Sequence, residues 1–278
     1  MKTTEARAQF ALQVARNDDE LELDRAALLL AAEEYPQLEL APYLAQLDDC
    51  AARAHSNDDA YASPITRLLR LNDVLFDELG FHGNTENYFD ARNSFLSDVL
   101  DRRTGIPITL AVVYMEVARR LGLRVLGVGM PGHFLVKYQD EDDEILLDPF
   151  NGGRLLSEED CFQMVLQMYQ GKVVFERSFL NAVSKKQILT RMLQNLKGIY
   201  ARAADHHKTL GVIERALLIA PDALNEIRDR GLIYAALGRF NPALADLESY
   251  LRRAPEANDV AAIKEKITEL KQRRAQLN

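Results

Sequence analysis

Cysteine is scarce: the 278 residues hold two, Cys50 and Cys161. Neither has a C-x-x-C neighbour or stands at a metal-ligand spacing, so neither a disulfide framework nor a zinc site organises this chain. Both read as small buried apolar side chains. Long apolar runs are missing too, since stretches such as residues 26–32 fall far short of the ~18 that a membrane span requires. The opening Met1-Lys2-Thr3-Thr4-Glu5-Ala6-Arg7 has no apolar h-region, so a cytoplasmic location is the expectation. Basic charge is also short, with 34 Lys and Arg against 42 Asp and Glu and a net charge of −8. A protein whose work is to neutralise phosphates needs the opposite balance, which argues against a nucleic-acid partner.

What is present reads as mainly helical. Apolar residues at helical spacing mark an N-terminal lead-in, with further helices expected over 40–55 and 63–79, the latter closed by Gly80. A helix over 94–103 precedes Gly105-Ile106-Pro107, and an apolar helix over 108–121 follows, with Pro107 in its first turn, where a missing N–H costs nothing. The periodicity then shortens to three strand-like segments, 124–129, 133–138 and 145–147. Five consecutive carboxylates, 140–144, lie between the last two and read as a solvated hairpin tip rather than a cation site. Asn151-Gly152-Gly153 reads as a tight turn rather than a phosphate cradle.

From about residue 184 onward the pattern is helical again and repeats. Pro221 and Pro255 stand 34 apart, as do Tyr200 and Tyr234, and the apolar offsets between them resemble the tetratricopeptide repeat. The second unit keeps Gly231, Tyr234, Ala243 and Leu247, whereas the first has Lys197 and Thr209 at the glycine and alanine positions. Two such units and a closing helix are few for independent stability, so the tail is expected to pack on what precedes it. The domain boundary is placed between residues 182 and 183.

One order of residues invites a chemical reading: a glycine-rich approach to a helix, then His133, then Asp148 ahead of Pro149. Strands side by side would bring a histidine and an orienting acid together. Thr109 is the one hydroxyl near the start of that helix, and an adjacent base can activate a hydroxyl.

Residues 103–107 and 118–123 resemble the helix of the transglutaminase core, and Gly132-His133-Phe134 and Leu147-Asp148-Pro149 resemble its histidine and aspartate strands. With Asn93-Ser94, Asp148-Pro149-Phe150-Asn151-Gly152-Gly153 and residues 226–234, the chain from about Arg67 onward is similar to the SirB-one family, a transglutaminase-like core followed by tetratricopeptide repeats. The resemblance implies an α+β fold, mainly helical, with a small antiparallel sheet in a papain-like core and a helical tail. It also implies a nucleophilic cysteine at Pro107 or within two residues of it, yet no cysteine lies between Ala51 and Asp160. His133, Asp148 and Thr109 are therefore expected as the remnant of a triad, in a protein that is more a scaffold than an enzyme. A protein or peptide partner is expected on the tail, where Asn195, Arg228, Arg230 and Tyr234 are candidate groove residues. Neither a cofactor nor a metal is expected. The alternative is an acyl-transfer or amide-hydrolysing enzyme built on His133 and Asp148.

Overall fold

The structure is a computed structural model that describes residues 3–55, 62–141 and 143–276. The chain divides into two compact units, residues 1–192 and 193–278.

In the first unit four helices, α1 (Thr3–Val14), α2 (Leu23–Glu34), α3 (Leu40–Ala54) and α4 (Pro64–Asn72), precede a two-residue strand β1 (His82–Gly83). After a single 3-10 turn at Ala91–Ser94 come α5 (Leu96–Arg102), β2 (Thr104–Gly105) and α6 (Pro107–Arg120). The sheet follows: β3 (Val125–Val128), β4 (Leu135–Gln139), β5 (Glu144–Asp148) and β6 (Arg154–Leu156), then α7 (Glu158–Tyr169) and the first turns of α8 (Lys185–Arg202).

Helix α6 is the hub. Every residue from 107 to 118 is buried, so the helix needs apolar cover on all sides. It finds that cover in α2, α3 and α5 and in β3 and β4. The sheet is antiparallel in the order β3-β4-β5-β6, with Val128 opposite Leu135, Val136 opposite Leu147 and Asp148 opposite Arg154. Beyond it Val128, Leu135, Leu146, Cys161 and Val165 form one apolar cluster, which explains why residues 135–138 of β4 are buried on both faces.

Several expectations are corrected here. The sheet has four strands rather than three, because the turn at Gly152 and Gly153 (φ 71° each) returns the chain as β6. A second, parallel pair joins β1 to β2, too short for periodicity to reveal. His133 does not stand on a strand; it ends the turn before β4. The helix expected over 63–79 stops as an α-helix at Asn72 and widens into a π-helical turn, Asp73–Glu78, before Gly80 (φ 72°). Such widened turns are frequent at functional sites, and Asn72, just before this one, reaches across to donate to the Gly153 carbonyl at 2.8 Å. At the carboxylate run, the Asp143 amide donates to Asp140 Oδ1 at 2.7 Å, as in a hairpin tip; Asp142 lies outside the described residues.

A charge network ties α6 to the N-terminal helices. Arg120 donates to Asp24 at 2.8 Å, to Glu116 at 3.1 Å and to Asp48 at 2.6 Å, and Arg119 shares Asp24 and Glu116. Burial raises the Glu116 carboxyl above its ordinary value and Asp24 raises it further; at Asp24 burial pushes the same way, but the Arg120 hydrogen bond, the Arg25 amide and the two guanidinium charges together outweigh it, and the net shift is downward.

The second unit contains the rest of α8 with α9 (His206–Ile219), α10 (Leu224–Ala236), α11 (Phe240–Arg253) and α12 (Val260–Gln276). The repeat pattern acquires a cause here. A Cβ on Gly231 would lie 2.8 Å from Leu247 Cγ, so the glycine lets α10 approach α11 closely. At the equivalent position of the preceding unit Lys197 instead donates to Glu226 at 2.8 Å and pairs with Asp229 at 2.6 Å, replacing close packing with charge.

Removing Arg120 leaves Asp24 and Glu116 facing each other inside the protein. Arg120→Met should cost about 3 kcal/mol, the lower end for a broken buried pair because Arg119 stays in place. Urea unfolding at pH 7 measures it, and a loss below about 0.5 kcal/mol, the level of a surface substitution, contradicts this account.

Candidate functional site

The site is assembled by three loops of the first unit. The loop after β1 is wound about Asn93, which is fully buried. Its Nδ2 donates to the carbonyls of Asn87 (2.8 Å) and Tyr88 (3.2 Å), and its Oδ1 accepts from Asn84 Nδ2 at 3.0 Å. Thus braced, the loop holds out Tyr88 and Phe89, the latter 61% exposed. Gly83 supplies the second loop's seat: a Cβ there would lie 2.5 Å from the Phe150 ring, so only glycine lets Phe150 lie against β1. Phe150 then meets Tyr88 edge-on at 6.4 Å and the His133 ring edge-on at 5.9 Å.

His133 and Asp148 are brought together. Nε2 of His133 lies 2.9 Å from Oδ2 of Asp148, both residues being buried. Asp148 ends β5 and caps the turn Pro149–Asn151, with its Oδ1 accepting from the amides of Phe150 and Asn151 and its Oδ2 accepting from Asn151 Nδ2 at 2.7 Å. Burial pushes its carboxyl up, but the hydrogen bond and the attraction from His133, helped by Asn151, win, and the net shift is downward. An ionised carboxylate only accepts, so Nε2 must carry the hydrogen. In the neutral ring the lone pair then sits on Nδ1, which makes no hydrogen bond among the described residues and is not sealed from solvent. The arrangement is a base held in one orientation.

Thr109 is not part of it. Its hydroxyl is 0% exposed and occupied at the start of α6, accepting from the Ile106 amide at 3.1 Å and donating to the Asn93 carbonyl at 2.7 Å. Cys161 is fully buried in α7, where burial and the neighbouring carboxylates push its thiol up to about 11. A reactive thiol needs the opposite shift.

Arg191 on α8 was invisible as a site residue. It donates to the carbonyls of Met130 (3.0 Å) and His133 (2.7 Å) and lies over the Phe134 ring at 5.5 Å, so it clamps the turn that carries the histidine. The helix is itself started from far away in sequence, since Asp18 accepts from the amides of Lys185 and Lys186. Only Tyr88 and Phe150, beside motifs already noted, left a trace in the sequence.

Three of the tail residues expected in a groove make polar contacts within the second unit. Arg228 pairs with Asp229 and Asp259 and stands over Tyr250; Arg230 makes a bidentate pair with Asp246. Tyr234 donates to Glu214 at 3.4 Å, and Asn195 is half-buried on α8. The two arginines are thereby committed to holding the second unit together.

A family model described as the transglutaminase-like superfamily matches residues 41–194, the segment that contains the histidine, the aspartate and the helix ahead of them. The chain belongs to that superfamily. A tetratricopeptide-repeat model matches residues 196–268. Among relatives of this transglutaminase-like protein, a UPF0162 protein of Xylella fastidiosa is 36% identical over 263 residues, 94% of each chain. One of Pseudomonas aeruginosa is 31% identical over 251 residues, 89% of this chain and 90% of its own. The F-box only protein 21 of Mus musculus is 30% identical over 179 residues, 60% of this chain and 28% of that protein. No solved structure matches.

Because Asp148 has a folded-state value below its unfolded one, its contribution to stability is complete above the unfolded value of about 3.9 and is lost as the pH falls through the folded value. Wild type should exceed Asp148→Asn by about 1–3 kcal/mol at pH 7. That gap should close on titration from about pH 5 downward. Unfolding curves across the range check this, and a gap that stays constant with pH removes the ionised dyad.

Proposed function

We propose that this transglutaminase-like protein, of the SirB-one kind, is a non-catalytic scaffold that works in the cytoplasm and recruits a protein or peptide partner through its tetratricopeptide tail and its degenerate cleft. The observation that carries this reading is the missing nucleophile. Thr109 is spent on capping, Cys161 is sealed with a raised pKa, and the helix that should present a thiol begins with Ile106 and Pro107. A base without a nucleophile orients or binds rather than turns over. Stacked helix pairs, for their part, offer extended surfaces for a partner segment.

The test uses the full chain as bait. Asn195→Ala combined with Tyr234→Ala should lower the recovery of at least one captured protein tenfold or more, read by quantitative mass spectrometry, while the thermal melt keeps its cooperativity. Recovery of the same set in the same amounts by this folded variant rules out the tail as the recruiting surface.

A second reading is favoured by one observation, the Nδ1 of His133, which makes no hydrogen bond among the described residues, on a ring that meets Phe150 and through it the exposed Tyr88. In that reading Nδ1 takes a proton from water while the water oxygen bonds to an acyl carbon, and the same proton passes to the leaving nitrogen or oxygen as its bond to carbon breaks. A panel of p-nitroanilides and p-nitrophenyl esters should then be hydrolysed by wild type at least a hundredfold faster than by His133→Ala, the low end for a general base. Equal rates in the two proteins leave only the scaffold.

A further inference from the structure

Away from the dyad, the first unit has an open cleft of about 580 Å³ between the start of α3 and the exposed side of α5. Its walls are Tyr35, Leu38, Pro42 and Tyr43, and its charged residues are Glu39, Asp98 and Asp101, with no lysine or arginine among the lining residues. Three carboxylates alone would be an ordinary solvated face. Two observations set this cleft apart.

The first is unsatisfied polarity. Ser97, 2% exposed, and Asp98 both line the cleft, and Ser97 Oγ and Asp98 Oδ2 are buried without a hydrogen-bond partner. Buried polar atoms are nearly always paired, so two orphans at adjacent positions in one cleft indicate a missing partner. The nearest basic side chains do not supply it. Arg92 is held by Asp90 at 2.7 Å, and Arg102, whose Nη1 is itself buried without a hydrogen-bond partner, lies 3.8 Å from the same Asp90 and makes no hydrogen bond to Asp98. Burial correspondingly pushes the Asp98 carboxyl up.

The second is the way the aromatic rings are held. Tyr43 donates its hydroxyl to Asp101 at 2.9 Å, and Tyr35 lines the same cleft near Asp98. Burial and the Asp101 hydrogen bond push the Tyr43 hydroxyl up to about 12, so it stays a donor at neutral pH. Aromatic faces beside carboxylates, with apolar Leu38 and Pro42 for a stem, are the surroundings that favour an organic cation: the ring quadrupoles attract the charge and the carboxylates complete the pairing. Among the described residues no acidic group is gathered tightly enough to hold a metal ion.

We propose that the cleft bounded by Tyr35, Tyr43, Ser97, Asp98 and Asp101 binds a primary alkylammonium group. The site is separate from His133 and Asp148 and does not depend on whether the dyad turns over.

Isothermal titration calorimetry of the full chain tests it with two probes, Nα-acetyl-lysine amide and 1,5-diaminopentane, and with 1-pentanol as the uncharged control. At least one amine should bind with a sub-millimolar Kd, the alcohol should give no heat, and Asp98→Asn should weaken the amine at least tenfold. Glu39→Gln, on the exposed rim, serves the same purpose with a smaller expected loss if Asp98→Asn does not fold. Preference for the lysine amide identifies a lysine side chain of a polypeptide as the occupant, and preference for the diamine identifies a free polyamine; each supports the site. No heat from either amine up to about 10 mM, weaker than the ~4 kcal/mol of a millimolar complex, overturns it, as does binding unchanged in the charge-removing variants.

Discussion

The constraint on which the rest of this structure depends is the burial of α6 on every side. A helix with no solvent face cannot be stabilised by amphipathic packing against one partner; it needs layers on opposite sides. The N-terminal helices therefore cover one flank and the four-stranded sheet the other. Strand β4 in turn is buried on both faces because α7 and the segment around Leu180 close it from outside. The papain-like order of helix, histidine turn and aspartate strand is the chemical by-product of this enclosure, since β4 and β5 must pair beside α6 for the core to be dry.

Enclosure also decides what polar groups inside can do. Each polar residue in the buried stretch 107–118 of α6 must find a partner within the protein, because water does not reach it. Thr109 answers with the backbone of residues 93 and 106, and Glu116 with Arg119 and Arg120. Satisfying Thr109 in this way is what retires it chemically: a hydroxyl whose proton and lone pair are both occupied has neither to offer a substrate. His133 is the contrast. Its turn is clamped through backbone carbonyls by Arg191, so its ring is fixed while Nδ1 is left open. The same logic applies in the acidic cleft at α3 and α5, where Ser97 Oγ and Asp98 Oδ2 have no hydrogen-bond partner and the demand passes to something from outside.

Legibility followed physical locality. Pro107 at the first turn of α6, Gly80 as a stop and the 34-residue repeat were readable because proline, glycine and periodic apolar residues act on their own neighbourhood. The pairing of His133 with Asp148 was readable because motif order carried it. The fourth strand was not, since Gly152 and Gly153 signal a turn equally well whether or not the chain pairs on the far side. The π-helical turn after Asn72 was equally hidden, because its apolar spacing differs from an α-helix only by one extra residue. The ion pairs of Arg228 and Arg230 were hidden because charge on a helix says nothing about whether Asp246 or Asp259 already waits opposite.

By itself the sequence determined the helical bias, the small sheet, the repeat tail, the histidine and the aspartate, and the absence of a thiol where one would be needed. These rest on local propensity, periodicity and composition, which need no knowledge of distant contacts. Only the tertiary structure decided that Thr109 is spent, that Arg191 and Asp18 secure the histidine's turn and the helix behind it, that the tail's arginines are internally paired, and that an acidic aromatic cleft is short of a cation. Each of these depends on which residues, tens to more than a hundred positions apart, come within hydrogen-bonding distance, and pairwise proximity is a property of packing that a one-dimensional pattern does not encode.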